Sequence, residues 1–288
     1  MDIKITTLSE NTAGAGDLLG EWGLSILVEA YGMRLLLDTG QSISATHNAD
    51  ILGINLNTID RIVISHGHRD HTGGLQHLLN KIGSSRDKNK QPFKVNIIAH
   101  PDVFTAKCSR RQGKERIISM PFSRKELEQI GAEFHLTNQP VKIHQNIMTS
   151  GEIPQVTSFE KVEPDLYVKH RDSWKPDPLT DDQALIIASE VGLIVILGCA
   201  HRGVINTLRH AQHLTGIKKI HTVVGGTHLF NASQEQIWLT INELKEMGVQ
   251  KLGACHCTGL PIAMLLAQAF GDAFFFNNAG TQTTIPIG

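Results

Sequence analysis

Residues 65–75 read Ser-His-Gly-His-Arg-Asp-His-Thr-Gly-Gly-Leu. His66, His68, Asp70 and His71 place three imidazoles and a carboxylate within six positions. Side chains alternate along an extended chain, so His66 and His68 face one side and can share a metal ion. Asp70 and His71 come once the chain turns and can reach a second ion close by. Imidazole and carboxylate suit zinc, iron or manganese, and two such ions can hold a hydroxide nucleophile between them. A histidine alone in a loop is more often structural. Four ligand-type residues this close, followed by Thr72-Gly73-Gly74, have no comparable structural explanation.

Such a cluster needs rigid elements to position it. The apolar run Ile62-Val63-Ile64 lies within a strand pattern from Ile59 to Ser65 that delivers the histidines. Leu75 to Ile82 comes next as a helix, with Leu75, Leu78, Leu79 and Ile82 on one face. Upstream, Ile3 to Leu8, Leu24 to Ala30 and Met33 to Asp38 read as strands separated by Gly-containing turns. Residues 44–56 read as a short helix and its exit, Ser84 to Pro92 as a solvated loop, and Val95 to Ala99 as a buried strand.

Residues 102–165 break this rhythm. Lys107, Arg110, Arg111, Lys114, Arg116, Arg124 and Lys125 cluster there against one acid, Glu115, within 107–125. The run reads either as a solvated face or as a cap over the metal site. A cap would meet an anionic substrate such as a phosphate ester, with Arg110 and Arg111 as candidate contacts. Ser123 and Glu126 form a capping box, and 134–170 read as short antiparallel strands. Strands are then expected at Ala184 to Ala188, Leu193 to Leu197, His221 to Val224, Lys251 to Ala254 and finally Ala273 to Phe276. Helices are expected at Val204 to Leu214, Gln234 to Met247 and Pro261 to Phe270. His77, His210 and His213 fall on helices and are expected at the surface. Two sheets packed face to face under helices give an α/β (α+β) chain, a four-layer αββα sandwich. It is read as one domain over 1–288 with a cap insertion around 102–165.

A two-metal site needs further protein ligands, and the candidates lie just after strands, where active-site groups gather in layered folds. In Gly198-Cys199-Ala200-His201 the ligand is His201, with the Cys199 thiolate as alternative, because a buried cysteine is more often a small core residue. In Gly225-Gly226-Thr227-His228 the glycines let the backbone approach a ligand closely. His228 is a candidate substrate contact or general acid, with metal ligation and a structural place at a helix start as the other readings.

Residues 65–75 resemble the signature of the metallo-β-lactamase superfamily. Leu35-Leu36-Leu37-Asp38-Thr39-Gly40 resembles the same family's strand-then-Asp-Thr-Gly turn. The resemblance implies the sandwich fold and a role for Asp38 behind the metal-binding histidines; read alone, Asp38 is a turn former before Gly40. Ala254-Cys255-His256-Cys257-Thr258-Gly259 resembles the segment carrying the family's last ligand, which implies His256. Cys255 and Cys257 would point away from His256 if that segment is extended. Gly198-Cys199 stands where relatives more often carry a bridging aspartate. Most relatives also have a histidine where this chain has Asp177 to Leu185, so Asp181 or Asp182 could ligate, or His201 could replace that nitrogen. The last three motifs together resemble the branch of 7,8-dihydropterin-6-methyl-4-(β-D-ribofuranosyl)aminobenzene-5'-phosphate synthase-like proteins. That implies a pterin diphosphate and a ribofuranosyl aminobenzene phosphate as substrates.

The chain has 288 residues, 41% of them hydrophobic, and a formal net charge of −1. That balance gives no global field for nucleic acid or membrane, and no apolar run approaches the roughly 18 residues of a membrane span. Four cysteines show no disulfide pattern, which fits a reducing cytoplasm. The expectation is a metal-dependent hydrolase-like enzyme, hydrolase or pterin-type transferase, acting on a phosphorylated or otherwise anionic small molecule, with no nucleic-acid or membrane partner. Its cofactor is two divalent ions, zinc first and manganese or iron(II) as alternatives. Asp70 and His228 are its catalytic candidates. A general phosphodiesterase, esterase or lactonase, and a metal-holding sensor without turnover, are the competing readings.

Overall fold

In the computed structural model, residues 2–84 and 94–287 are described; all but Ser84 of the expected loop from Ser84 to Pro92 lies outside them. A seven-stranded sheet runs in the order Gln282–Pro286, Asp2–Ser9, Ser25–Ala30, Met33–Leu37, Arg61–Val63, Val95–Ala99, Ala132–Leu136. A six-stranded sheet runs in the order Lys251–Cys255, Ile220–Gly226, Gly192–Leu197, Leu185–Ser189, Ile147–Thr149, Lys142–His144.

The two sheets stack because their strands alternate apolar side chains to both faces. Leu35, Leu37 and Val63 meet Leu185, Ile194, Ile196 and Val224 between the sheets. The residues between them point outward. Leu36 and Ile62 pack under Leu75, Leu78 and Leu79 of the helix Leu75–Ser84. Val195 and Val223 pack under Leu208, Ile237 and Leu266 of the helices Val204–Thr215, Gln234–Glu246 and Leu260–Phe270. Three apolar seams thus hold four layers, the αββα sandwich. Among the described residues no helix is long and apolar enough to cross a membrane.

Three expectations need correction. The last strand is Gln282–Pro286, antiparallel to Asp2–Ser9, whereas Phe274 makes a single bridge to Leu252. Ala132–Leu136 is parallel to Val95–Ala99. Its alternating pattern marks a half-buried edge strand, and alternation carries no direction. The segment expected as a cap contributes two strands to a third, four-stranded antiparallel sheet, ordered Ser173–Pro176, Leu166–His170, Lys107–Arg111, Lys114–Ile117. That sheet therefore draws on residues beyond 165, while 132–149 serve the main sheets. The capping box at Ser123 and Glu126 is present.

Lys107 heads this third sheet and is not part of a solvated face. It is 1% exposed, and its Nζ lies 2.8 Å from Asp177 Oδ2 and 2.8 Å from Asp181 Oδ1. Burial lowers its pKa, but the two carboxylates outweigh that and raise it. Asp181 Oδ2 accepts the Gly67 N–H at 2.8 Å, so the ion pair fastens the third sheet to the loop between His66 and His68. Replacing Lys107 by Met would leave two buried carboxylates without their cation. Lys107→Met is expected to lower unfolding free energy by about 3–5 kcal/mol, read by urea denaturation. A loss below about 1 kcal/mol would mean the pair is screened as a surface pair is.

Candidate functional site

The parallel strands of both sheets end on one edge, and the site is built from the residues just beyond those ends. At this edge Asp38, Ala200, His228 and His256 follow strand ends with positive φ, at 60°, 53°, 49° and 53°. Such backbone is strained for side-chain-bearing residues. Each turns the chain sharply off its strand, and these turns leave polar side chains over the sheet edge.

Asp38 is fully buried. Its Oδ1 accepts the Ser65 N–H at 2.7 Å, and its Oδ2 accepts the Ser65 hydroxyl at 2.6 Å and faces His71 Nδ1 at 2.6 Å. It therefore lies behind His71, directing that ring's Nε2 forward. Ser65 Oγ in turn lies 2.9 Å from His66 Nδ1.

Two sets of side chains converge in front of this support. In the first, His66, His68 and His201 bring one ligand atom each within 4.8 Å of one another. His66 Nε2 lies 3.0 Å from His68 Nδ1 and 3.3 Å from His201 Nε2. Burial and the neighbouring imidazoles hold His66 and His201 well below the usual histidine range. Burial and the Lys107 ammonium bring His68 down to about 3. Neutral rings therefore face one another with lone pairs, an arrangement that calls for a cation.

In the second, Asp70, His71 and His256 meet within the same limit. His256 Nδ1 is 2.9 Å from Asn11 Oδ1, an atom that only accepts, so Nδ1 carries the proton. Its Nε2 is left without a donor, 3.4 Å from Asp70 Oδ2. Burial opposes ionisation of Asp70, but His71 and His256 outweigh it and hold the carboxyl far below the carboxylate range. His71 is pulled the other way: burial lowers it, and Asp38 and Asp70 raise it to about 9.

Cys199 and His201 are alternatives in the sequence, and the fold brings both in. Cys199 groups with His66 and His71, its Sγ 3.1 Å from His71 Nε2. Burial pushes its thiol pKa up. The segment after Ala254 is not extended, because His256–Thr258 forms a short 3-10 turn. Cys257 consequently lies with Cys199 and His256 instead of pointing away. Asp181 and Asp182 stay out of the clusters. Asp181 holds Lys107 and Gly67, and Asp182 Oδ2 accepts the Arg202 N–H at 2.9 Å. Burial pushes Asp182 up to about 7. Gly225 and Gly226 make room for protein, not ligand: a Cβ on them would meet Leu197 O at 2.1 Å and Cys257 Sγ at 2.5 Å.

His228 stands beside the first set, its ring centroid 4.0 Å from that of His201. Its Nε2 is 2.6 Å from Glu163 Oε2, and Arg111 Nη2 binds the same oxygen at 2.8 Å. Burial lowers its pKa, but Cys257 and Glu163 raise it to about 10. Arg111 thus reaches the site through Glu163. Arg110 does not: it pairs with Glu115 and lies over the Tyr167 ring. His77 and His213 are exposed as expected, while His210 is half-buried with Nε2 3.0 Å from Ser150 O. Three further residues carry no sequence signal for the site: Glu163, Asn11 and Trp22, whose Nε1 donates to Asp70 Oδ2 at 3.0 Å. They sit in loops without a motif, and a tryptophan between Gly20 and Gly23 is the faintest of hints.

The family model described as Anti-Pycsar protein Apyc1 matches residues 12–144. The chain is 33% identical over 291 residues to the 7,8-dihydropterin-6-methyl-4-(β-D-ribofuranosyl)-aminobenzene-5'-phosphate synthase of Methanocaldococcus jannaschii, covering 97% of this chain and 95% of that one. Among solved structures, Tm1679, described as a metal-dependent hydrolase of the β-lactamase superfamily, superposes with a TM-score of 0.81 at 26% identity over 98% of both chains. The zinc-bound PqqB of Methylobacterium extorquens shares the fold, with a TM-score of 0.55 at 11% identity over 97% of this chain and 99% of its own. The chain belongs to the metallo-β-lactamase superfamily and, within it, to the family of the methanogen synthase.

Proposed function

We propose that this protein is a two-metal enzyme that joins a dihydropterin to a ribofuranosyl aminobenzene phosphate, the two parts named in its M. jannaschii relative, with a diphosphate on the pterin as the leaving group. The observation that supports it most is the convergence of the neutral His66, His68 and His201 imidazoles beside the group of Asp70, His71 and His256. His66, His68 and His201 would hold one divalent ion and Asp70, His71 and His256 the other, and Cys199, which groups with His66 and His71, would offer a further donor. The donor set fits: His256 Nε2 is buried without a donor, and Asp38 and Asn11 each occupy the far nitrogen of a ligating ring. When bound, the ions supply Lewis acidity toward phosphate oxygens.

The chain's own residues do the rest. His228, protonated against Glu163, faces the departing oxygen and offers it charge and a proton. Arg111 steadies Glu163 and so the orientation of His228. In the reaction the bond from carbon to the diphosphate oxygen breaks with its electron pair on oxygen, a carbon–nitrogen bond forms, and the amine loses a proton. A two-substrate reaction is favoured over plain hydrolysis by two clefts that share no lining residue. One is bordered by His201 and His228, the other by Trp22 and Asp70.

Three measurements test this. His68→Ala and Asp70→Ala are expected to reduce metal from two ions per chain to one or none and to abolish turnover; unchanged content by elemental analysis would remove the assignment. His228→Ala is expected to keep both ions while kcat falls about 10²–10⁴-fold, and loss of metal there would make His228 a ligand. With a pterin diphosphate and a ribofuranosyl aminobenzene phosphate, product is expected to require both substrates. Diphosphate release at full rate without the arylamine would show a hydrolase instead.

A further inference from the structure

A cleft of about 650 Å³ opens beside Asp70, lined by Trp22, Gln41, Arg69, Asp70, Arg116, Ile117 and Ile118. This volume suits a small organic ligand, and the residues of the metal clusters enter it only through Asp70. We propose that Trp22, Arg69 and Arg116 form a docking subsite for a planar aryl group that carries a phosphate.

Each part of that ligand has a matching surface. Trp22 is 50% exposed yet held from one side. Its indole N–H donates to Asp70 Oδ2 at 3.0 Å, and its ring lies 5.2 Å from that of His256. A pinned, half-exposed indole is a preformed platform, and stacking an aryl ring on its open part covers apolar surface at little entropic cost. Ile117, 58% exposed, adds an apolar flank on the third sheet.

The phosphate half rests on charge. Arg110 and Arg111 of the same hairpin are neutralised by Glu115, Glu163 and Asp165. Among the described residues Arg69 and Arg116 have no carboxylate partner, and the one acid of the cleft, Asp70, already accepts the Trp22 N–H. Arg69 is held toward the third sheet by its own backbone, whose N–H donates to Ile118 O at 2.7 Å. Two unpaired guanidinium forks beside one aromatic face match a phosphate monoester on a planar ring, because guanidinium binds phosphate in bidentate fashion.

The assignment rests on the proposed function only for which reaction the bound molecule enters. Binding to the metal-loaded protein tests it directly. Phenylphosphonate, which does not hydrolyse, is the probe, with methylphosphonate and benzyl alcohol as its two halves, all by calorimetry. Phenylphosphonate is expected to bind at least tenfold tighter than either half. Arg69→Gln and Arg116→Gln are each expected to raise its Kd about tenfold, the size of one charge-assisted hydrogen bond, with metal content unchanged. Trp22→Ala is expected to raise Kd by a similar factor, and Trp22→Phe to restore most of it. Equal binding of methylphosphonate, or a Kd indifferent to both arginine changes, would place the phosphonate elsewhere and overturn the subsite. If the variants weaken binding while no two-substrate product forms, the subsite stands and the proposed reaction falls.

Discussion

A carboxylate sealed from water needs hydrogen-bond partners in place of the solvent, and Asp38 finds them in Ser65 and His71. Its three short contacts tie the end of the strand Met33–Leu37 to the end of Arg61–Val63 and to the short helix Arg69–Thr72. His66 and His71 are thereby set relative to each other before any metal arrives. The surrounding packing leaves no slack. A Cβ on Gly198 would come within 2.1 Å of Ser65 Oγ, and one on Gly74 within 2.0 Å of Thr39 O. The glycines after the histidine motif, and the one before Cys199, let backbone close over this carboxylate.

From that knot come the electrostatics of the site. The imidazoles of His66, His68 and His201 are starved of water and crowded by one another, so protons are expelled from them. Asp70 keeps its negative charge against burial because His71 and His256 surround it. His228, one ring further out, is driven the other way by Glu163 and Cys257. One patch of sheet edge thus holds lone pairs for a cation beside a cationic hydrogen-bond donor, through burial and the placement of a few acids.

The local part of this is legible in the sequence. The period-two strands, the amphipathic face of Leu75, Leu78, Leu79 and Ile82, the Ser123–Glu126 box and the histidine run are all readable within a few residues. Features set by distant partners are not. Lys107 reads like one more solvated cation, because Asp177 and Asp181, which bury it, lie 70 and 74 residues away. The direction of Ala132–Leu136 is set by its neighbour across the sheet, not by its own pattern. Cys257 faces the site because a turn at His256 stands where the pattern suggests a continuing strand. Trp22 carries no motif, and only the approach of Asp70 and His256 gives it a role.

Cys199 owes its place to the same strand-end geometry. A left-handed turn at Ala200 lets one strand end supply both Cys199 and His201, so the chain does not have to choose between sulfur and nitrogen. His201 completes the group of His66 and His68, while the sulfur lies against His66 and His71. On the proposed metal reading this puts a soft donor among the imidazoles. Sulfur beside imidazole favours zinc over manganese, since thiolate binds borderline-soft ions and carboxylate the harder ones. The metal-free thiol is held protonated by burial, and a thiol ligates as thiolate, so an ion entering there must displace that proton.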